Sequence, residues 1–379
     1  MAENQTPKIL IIQRRLTHYR LPFFKILKQQ LSECGFSLQL AYGKPNRNEL
    51  DKNDGGSLPW ATSLETTYFM DGKLCWQPFN KLLENASMVV MAAENKLLYN
   101  LYVQLFRRDL HVALWGHGRN LQGKSHNWRE RFKRVMARQA DWWFGYTAVS
   151  IPLIESSGFP RSRITVLNNS IDTTELAEQR SAIKAEELVS LKQTFGLDGS
   201  CVGVFVGSLY PEKRIGFMLE ATKEIRQRVA NFEFLIIGDG TQKELVKQFC
   251  ARNVWAHYLG MRKGQEKVNA IALSRIMINP GAVGLGMLDA FVCGVPIVTT
   301  DCGIHGPEIA YLVNGENGLI TPNTLEDYVS VAAALLRNDT RLNFLSAGCI
   351  ASAAQYTIEN MAHNFVDGVQ RCLAASFYR

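Results

Sequence analysis

The chain has 379 residues, 46% of them apolar and 20% charged; this suits two globular domains and excludes collagen-like, repeat-array and disordered architectures. The net charge is +7, and its excess lies in the first half: residues 1–180 hold 24 Lys and Arg against 16 Asp and Glu, while residues 181–379 hold 18 against 19. That asymmetry predicts an anionic partner for the N-terminal half: a phospholipid surface, a lipid diphosphate or nucleic acid.

The opening MAENQTPKILIIQRR has an apolar run, Ile9–Ile12, too short for a secretory signal. The expected location is therefore the cytoplasm, with peripheral contact to the inner face of the cell membrane. Lys8–Gln13 reads as a buried strand, Leu21–Cys34 as a helix stopped by Gly35, and Phe36–Tyr42 as the next strand. Gly43–Pro78 breaks the rhythm and predicts a long loop or a hairpin insertion. Strands follow at Ser87–Ala92, His111–Trp115 and Trp142–Tyr146, so the order predicts a parallel sheet covered on both faces. Between the last two, Arg129, Arg131, Lys133, Arg134 and Arg138 crowd one predicted helix. Trp128, Phe132 and Val135 fall on its inward face and Arg131, Arg134 and Arg138 on another. That basic face is either solvated or a membrane-surface patch for a lipid-linked acceptor. No nucleic-acid motif accompanies it.

The polar stretch Ser181–Thr194 reads as a linker to a second unit. Its predicted strands are Val202–Val206, Phe232–Ile237, Ala256–Leu259, Ile276–Asn279 and Pro296–Thr300, with helices at Phe217–Val229 and Gly286–Val292 between them. The mostly apolar stretch Ile276–Val298 is interrupted by Asn279, Pro280, Asp289, Pro296 and four glycines. It reads as two strands and a helix and not as a membrane span. A C-terminal helix beyond Tyr356 suits either domain. The domains expected are 1–180 and 181–360, with a C-terminal helix at 361–379. The eight cysteines form no CxxC pair and read as reduced, mostly buried thiols.

Two segments carry candidate chemistry. Val206–Arg214 (VGSLYPEKR) follows a strand and opens a helix: a turn at Gly207 and Ser208 lets backbone N–H groups approach an anion, and Lys213 or Arg214 adds charge. Asn279–Phe291 (NPGAVGLGMLDAF) again joins a strand to a helix. Gly281, Gly284 and Gly286 leave the backbone bare where a pyrophosphate fits, and Asp289, one turn into the helix, is placed to accept ribose hydroxyls at a cleft and not in the core. In the first half, His117 of WGHG sits past a strand, where open α/β sheets bind ligands. His18, Tyr19 and Arg20 sit past the first strand, and Arg14, Arg15 and Arg20 suit an acidic acceptor or a donor phosphate. No metal-ligand spacing is evident.

The order VGSLYPEKR, IIGDGT, HYLG, NPGAVGLGMLDAFVCGVPIVTTD, GPEIAYLVNGENGLI resembles the C-terminal half of the family 4 retaining glycosyltransferases. The resemblance runs from about Thr165 to Pro322. It begins at an interdomain turn, Val166–Asp172, and is only outlined earlier, at LTHYRLPFF, WGHG and Ala140–Tyr146. It implies the α/β GT-B fold, two Rossmann-like domains whose parallel sheets face each other across a cleft. It also implies retaining transfer from a nucleotide diphosphate sugar, UDP-linked or GDP-linked, to a glycan or lipid-linked acceptor in polysaccharide biosynthesis, with no further cofactor; the absence of a metal-ligand cluster in the sequence predicts that the transfer is metal-independent, with Lys213 and helix termini neutralising the leaving diphosphate. Lys213 then holds the donor diphosphate, Gly284 and Leu285 cradle it, and Gly238–Gly240 with Gly260 and Met261 rim the base pocket. Asp289 stands where the family has the second Glu of its paired-Glu motif. The first Glu, which reads the donor sugar, falls on Gly281. His117 and Lys213 are the catalytic candidates. The rival readings are a GT-B sugar-nucleotide epimerase or hydrolase, and a non-catalytic nucleotide-sugar binding module.

Overall fold

The computed structural model describes residues 6–50, 54–107, 109–118, 134–199 and 201–375. The chain forms two compact units, residues 1–172 with 358–379, and residues 173–357.

In the first unit, β1 (Lys8–Gln13), β2 (Ser37–Tyr42), β3 (Thr62–Ser63), β6 (Ala86–Ala92), β7 (His111–Trp115), β8 (Trp142–Gly145) and β9 (Ile164–Val166) form a parallel sheet of order β3-β2-β1-β6-β7-β8-β9. β4 (Thr67–Phe69) and β5 (Leu74–Trp76) pair antiparallel outside it. The central strand is apolar without alternation because both faces are covered. Ile9, Leu10 and Ile11 are all fully buried, and Ile11 pairs in register with Leu40 on one side and Val90 on the other. The stretch 43–78 is indeed an insertion. It contributes an edge strand, a hairpin and the short helix Arg47–Leu50.

The second unit is a parallel sheet of β10 (Cys201–Val206), β11 (Phe232–Ile237), β12 (Ala256–Gly260), β13 (Ile276–Ile278), β14 (Ile297–Thr300) and β15 (Gly318–Thr321), in the order β12-β11-β10-β13-β14-β15. Helices Ile215–Arg228, Lys243–Arg252, Gly264–Ala272 and Gly286–Val292 connect successive strands. Both sheets are doubly wound, and each reverses its strand order once: between β1 and β6, and between β10 and β13.

Three expectations need correction. The stretch 181–194 is not a linker. The second unit begins at Thr173 with two helices, Thr174–Ala182 and Ala185–Thr194; Leu176 of the first is buried. Their polar composition reflects largely exposed helices with one anchoring residue. The C-terminal helix runs over Ile358–Ala374 and belongs to the first unit, where it lies along the helix Leu21–Glu33. Its buried Ile358, Met361, Ala362, Phe365, Val369 and Cys372 repeat at helical spacing, and Phe365 stacks on Phe144 with ring centroids 4.3 Å apart. Finally, Val135 is not inward: it is 52% exposed, while Met136 and Ala137 are buried. Trp128, Arg129, Arg131, Phe132 and Lys133 lie outside the described residues.

All eight cysteines are free thiols, and five are buried. Among the described residues no helix is long and apolar enough to cross a membrane.

Candidate functional site

In a doubly wound sheet, ligands bind beyond the strand C-termini at the point of reversal, where neighbouring connections depart to opposite faces. In the second unit that point is flanked by the turns after β10 and β13, the two Gly-rich segments.

The turns after β10, β11 and β12 interlock through the backbone. Gly207 N–H donates to Ile237 O (3.0 Å), Leu209 N–H to Asp239 O (2.9 Å) and Gly238 N–H to Gly260 O (2.9 Å). Gly238 has φ +150°, and a Cβ there would overlap the carbonyl oxygen of Gly207, so only glycine fits. Tyr258 Oη donates to Gly238 O at 3.0 Å. Ser208 is exposed at the lip of this layer, and Met261, 60% exposed, stands just past β12.

Lys213 and Arg214 do different things. The side chain of Lys213 reaches back beside Gly207 and donates from Nζ to Ala282 O, joining the two Gly-rich turns. Burial pushes this ammonium below the ordinary lysine range, against a smaller opposing pull from the Glu308 carboxylate. Arg214 is placed in the donor site by the sequence, but in the structure it is a strut. Its Nη1 donates to Pro280 O (3.1 Å), Thr300 Oγ1 (2.9 Å) and Asn323 Oδ1 (2.6 Å), and its guanidinium lies 4.2 Å from the Phe217 ring centroid. A left-handed backbone at Arg214, φ +55°, sends the two neighbouring side chains in these different directions.

The segment Gly281–Gly286 is tied on both sides. Ala282 N–H donates to Glu212 O, and Gly306 N–H to Val283 O, each at 2.9 Å. Val283 N–H donates to His305 Nδ1 (3.2 Å), while His305 Nε2 lies 2.7 Å from Thr300 O. His305 therefore carries its proton on Nε2 and is neutral, in keeping with burial that lowers its pKa. The N–H groups of Gly284, Leu285 and Gly286 have no acceptor among the described residues, as is usual for the first turn of a helix. The helix they open has only seven residues, so it offers those first-turn donors and little dipole. A Cβ on Gly281 would collide with the backbone of Lys213 and stand 2.6 Å from Glu212 O. The missing Glu is thus a packing requirement of the turn that carries Lys213.

Asp289 departs from expectation. It is buried, 7% exposed, and its Oδ2 is paired with Lys267 Nζ at 2.9 Å. A buried carboxylate needs a counter-charge, and the helix Gly264–Ala272 supplies it. Lys267, His305 and Glu308 are site residues that sequence reasoning missed. Glu308 stands in the quoted GPEIAY motif and was legible there; Lys267 sits on an unmarked polar helix.

The corresponding reversal in the first unit lies between the turns after β1 and β6. It opens a pocket of about 200 Å³ lined by Gln13, Arg14, Arg15, Tyr19, Arg20 and Trp115 among others. Arg14 and Arg15 are not available to a ligand as free cations. Arg14 holds Glu49 through both Nη atoms at 2.6 Å, and Arg15 holds Asp54 at 2.5 and 2.9 Å, both acids coming from the insertion. His18 is exposed, with Nδ1 3.3 Å from Asp54 O. Tyr19 is 39% exposed and Arg20 is buried. His117 follows β7, half-buried, with its ring 5.9 Å from that of Tyr146. The following Gly118 has φ +72° and is packed against Ile154, which holds the turn. Of the basic helix, Arg134 is half-buried and Arg138 donates from Nε to Ser157 O at 2.6 Å; Arg131 lies outside the described residues. Among the described residues no three His, Cys, Asp or Glu side chains converge as a metal-ligand set.

Two doubly wound, parallel-sheet Rossmann-like units in one chain define the GT-B fold. Residues 200–338, most of the second unit, match the family described as Glycosyl transferases group 1. An uncharacterized glycosyltransferase of Methanocaldococcus jannaschii is 27% identical over 136 residues, 34% of this chain and 36% of that one. The O-antigen chain mannosyltransferase B of Escherichia coli is 26% identical over 223 residues, 55% and 57% of the two chains. The chain thus spans between about a third and just over a half of these curated relatives. Among solved structures, Anabaena HepE in complex with UDP superposes with a TM-score of 0.70 at 14% identity, covering 96% of this chain and 99% of that one.

Proposed function

We propose that this protein is a metal-independent, retaining glycosyltransferase that moves a sugar from a nucleotide diphosphate sugar, UDP-linked in preference to GDP-linked, to a hydroxyl of a glycan or lipid-linked glycan. The observation that carries the reading is the meeting of two bare glycine turns at the strand reversal of the second unit, with a desolvated ammonium, Lys213, drawn across them. The relatives named above, one an O-antigen chain mannosyltransferase and one solved with UDP, support it.

In this reading the diphosphate lies over Gly207, Gly284 and Leu285. Lys213 and the unpaired N–H groups stabilise the charge that develops as the anomeric bond breaks, and Asp289 Oδ1 accepts from the ribose while Lys267 balances the carboxylate. His117 acts on the acceptor side. The protein works in the cytoplasm, peripheral to the membrane that carries a lipid-linked acceptor.

Thermal denaturation with UDP, GDP and their sugar conjugates tests the donor assignment. A bound nucleotide at 100 times its Kd stabilises by about 2.7 kcal/mol. If neither UDP nor GDP shifts the transition, the reading fails. Turnover in EDTA tests the metal-free mechanism: activity lost in EDTA and restored by Mg²⁺ or Mn²⁺ contradicts it.

A further inference from the structure

Arg20 is the feature of the first unit that the fold does not account for. It is 8% exposed and lines the pocket at the β1–β6 reversal. Among the described residues it has no carboxylate partner, and its one polar contact is a long one, from Nη1 to Met361 Sδ at 3.8 Å. Three rings enclose the guanidinium instead, with centroids 5.3 Å (Tyr19), 5.3 Å (Trp115) and 5.9 Å (Tyr146) from Cζ. Aromatic faces stabilise a cation without accepting its hydrogen bonds. The guanidinium nitrogens that make no bond within the protein reach the open pocket, where water or a ligand accepts from them.

The neighbouring charges sharpen the point. Around the pocket, Arg14 is matched by Glu49, Arg15 by Asp54 and Lys96 by Glu94, the last at 3.0 Å. These pairs cancel, and Arg20 is the surplus. The local arrangement therefore lacks one negative group, next to exposed ring surface on Tyr19 suited to the face of a sugar.

We infer that this pocket binds a saccharide bearing an oxyanion, either a uronate carboxylate or a sugar phosphate, which takes the Arg20 fork while its ring lies against Tyr19. The inference rests on the proposed glycosyl transfer, deepening it by giving the acceptor a charge. A planar guanidinium offers two parallel N–H groups to a carboxylate or phosphate, which a neutral sugar cannot match.

The experiment measures binding to the full chain without donor, by calorimetry or ligand-observed NMR, of glucuronic acid, glucose 1-phosphate and glucose. In the unsubstituted protein one of the charged sugars binds about ten-fold or more tighter than glucose, and whichever does identifies the anion. In Arg20→Met the preference disappears, and Arg20→Lys, which keeps the charge but not the fork, retains part of it. Equal affinity for all three sugars in the unsubstituted protein overturns the inference, and this comparison stands even if Arg20→Met does not fold. UDP affinity in Arg20→Met stays as it was; if it falls with the sugar preference, Arg20 serves the donor and the inference is wrong. Failure of UDP to bind the unsubstituted protein counts instead against the donor reading.

Discussion

Lys213 shows what burial demands of a single cation. An ammonium moved out of water loses hydration that a single carbonyl only partly replaces. Because burial lowers its folded pKa, the unfolded chain binds the extra proton between the depressed value and the ordinary one. Over that window the fold gains stability as pH rises. A bound diphosphate reverses the sign by favouring the ammonium. Lys213→Met is therefore expected to leave the ligand-free melting temperature unchanged or higher while abolishing the UDP-induced shift. UDP affinity of the unsubstituted protein, followed by calorimetry, is expected to fall as pH climbs through the window, and that of Lys213→Met to stay flat. A large loss of ligand-free stability in Lys213→Met would make the residue structural. Gly281 is the complementary case. Gly281→Ala forces a methyl into the backbone of Glu212 and Lys213, an overpacking that costs about 1–3 kcal/mol. Thermal denaturation is expected to show that loss together with weaker UDP binding, since the displaced turn carries Lys213. Unchanged values for both would mean the turn yields freely.

At the scale of elements, the insertion 43–78 behaves as a clamp on the turn after β1. Its helix supplies Glu49, whose carboxylate the Arg14 guanidinium holds down at about 2. A carboxylate with a lowered folded pKa contributes stability that is complete above its ordinary pKa and is lost as pH falls from there toward 2. The first unit is thus expected to lose stability over that acid range. Glu49→Gln should flatten the dependence by giving up the same stability at neutral pH, as read by melting temperature against pH. A slope that persists in Glu49→Gln would assign the acid sensitivity elsewhere. The clamp also explains why the basic cluster after β1 misled sequence reading: two of its three arginines are neutralised by acids some 35 to 39 positions along the chain.

For the whole molecule, the charge imbalance is the property with an external consequence. Residues 1–180 carry the entire positive excess, and surface charges act over a Debye length of about 8 Å at physiological salt, shrinking to about 3 Å at 1 M. The protein is expected to sediment with phosphatidylserine vesicles at low salt, to be released at molar salt, and to ignore phosphatidylcholine vesicles. Equal recovery in all three supernatants would leave the excess charge solvated.

Periodicity and turn chemistry made most strands and both glycine turns legible beforehand, because a strand buried on both faces must be continuously apolar and a turn crowding a neighbour's backbone must be glycine. Gly238 and Gly281 meet that condition, whereas Gly207 and Gly284 leave room for a Cβ. The weaker strands β9 and β15, three and four residues long, carry too little pattern to announce themselves. What tertiary structure alone decided is who pairs with whom. Arg214 became a strut and Lys213 the buried cation between the two glycine turns although they are adjacent; Asp289 acquired Lys267 from another helix; Arg14 and Arg15 were neutralised while Arg20, five residues on, was left among aromatic rings. The C-terminal helix joined the first unit because Phe365 and its apolar neighbours match the face of Leu21–Glu33 and the ring of Phe144. Charge and apolar pattern are local properties of a chain. The partner that neutralises or covers each group is set by packing between segments distant in sequence, and no local pattern encodes it.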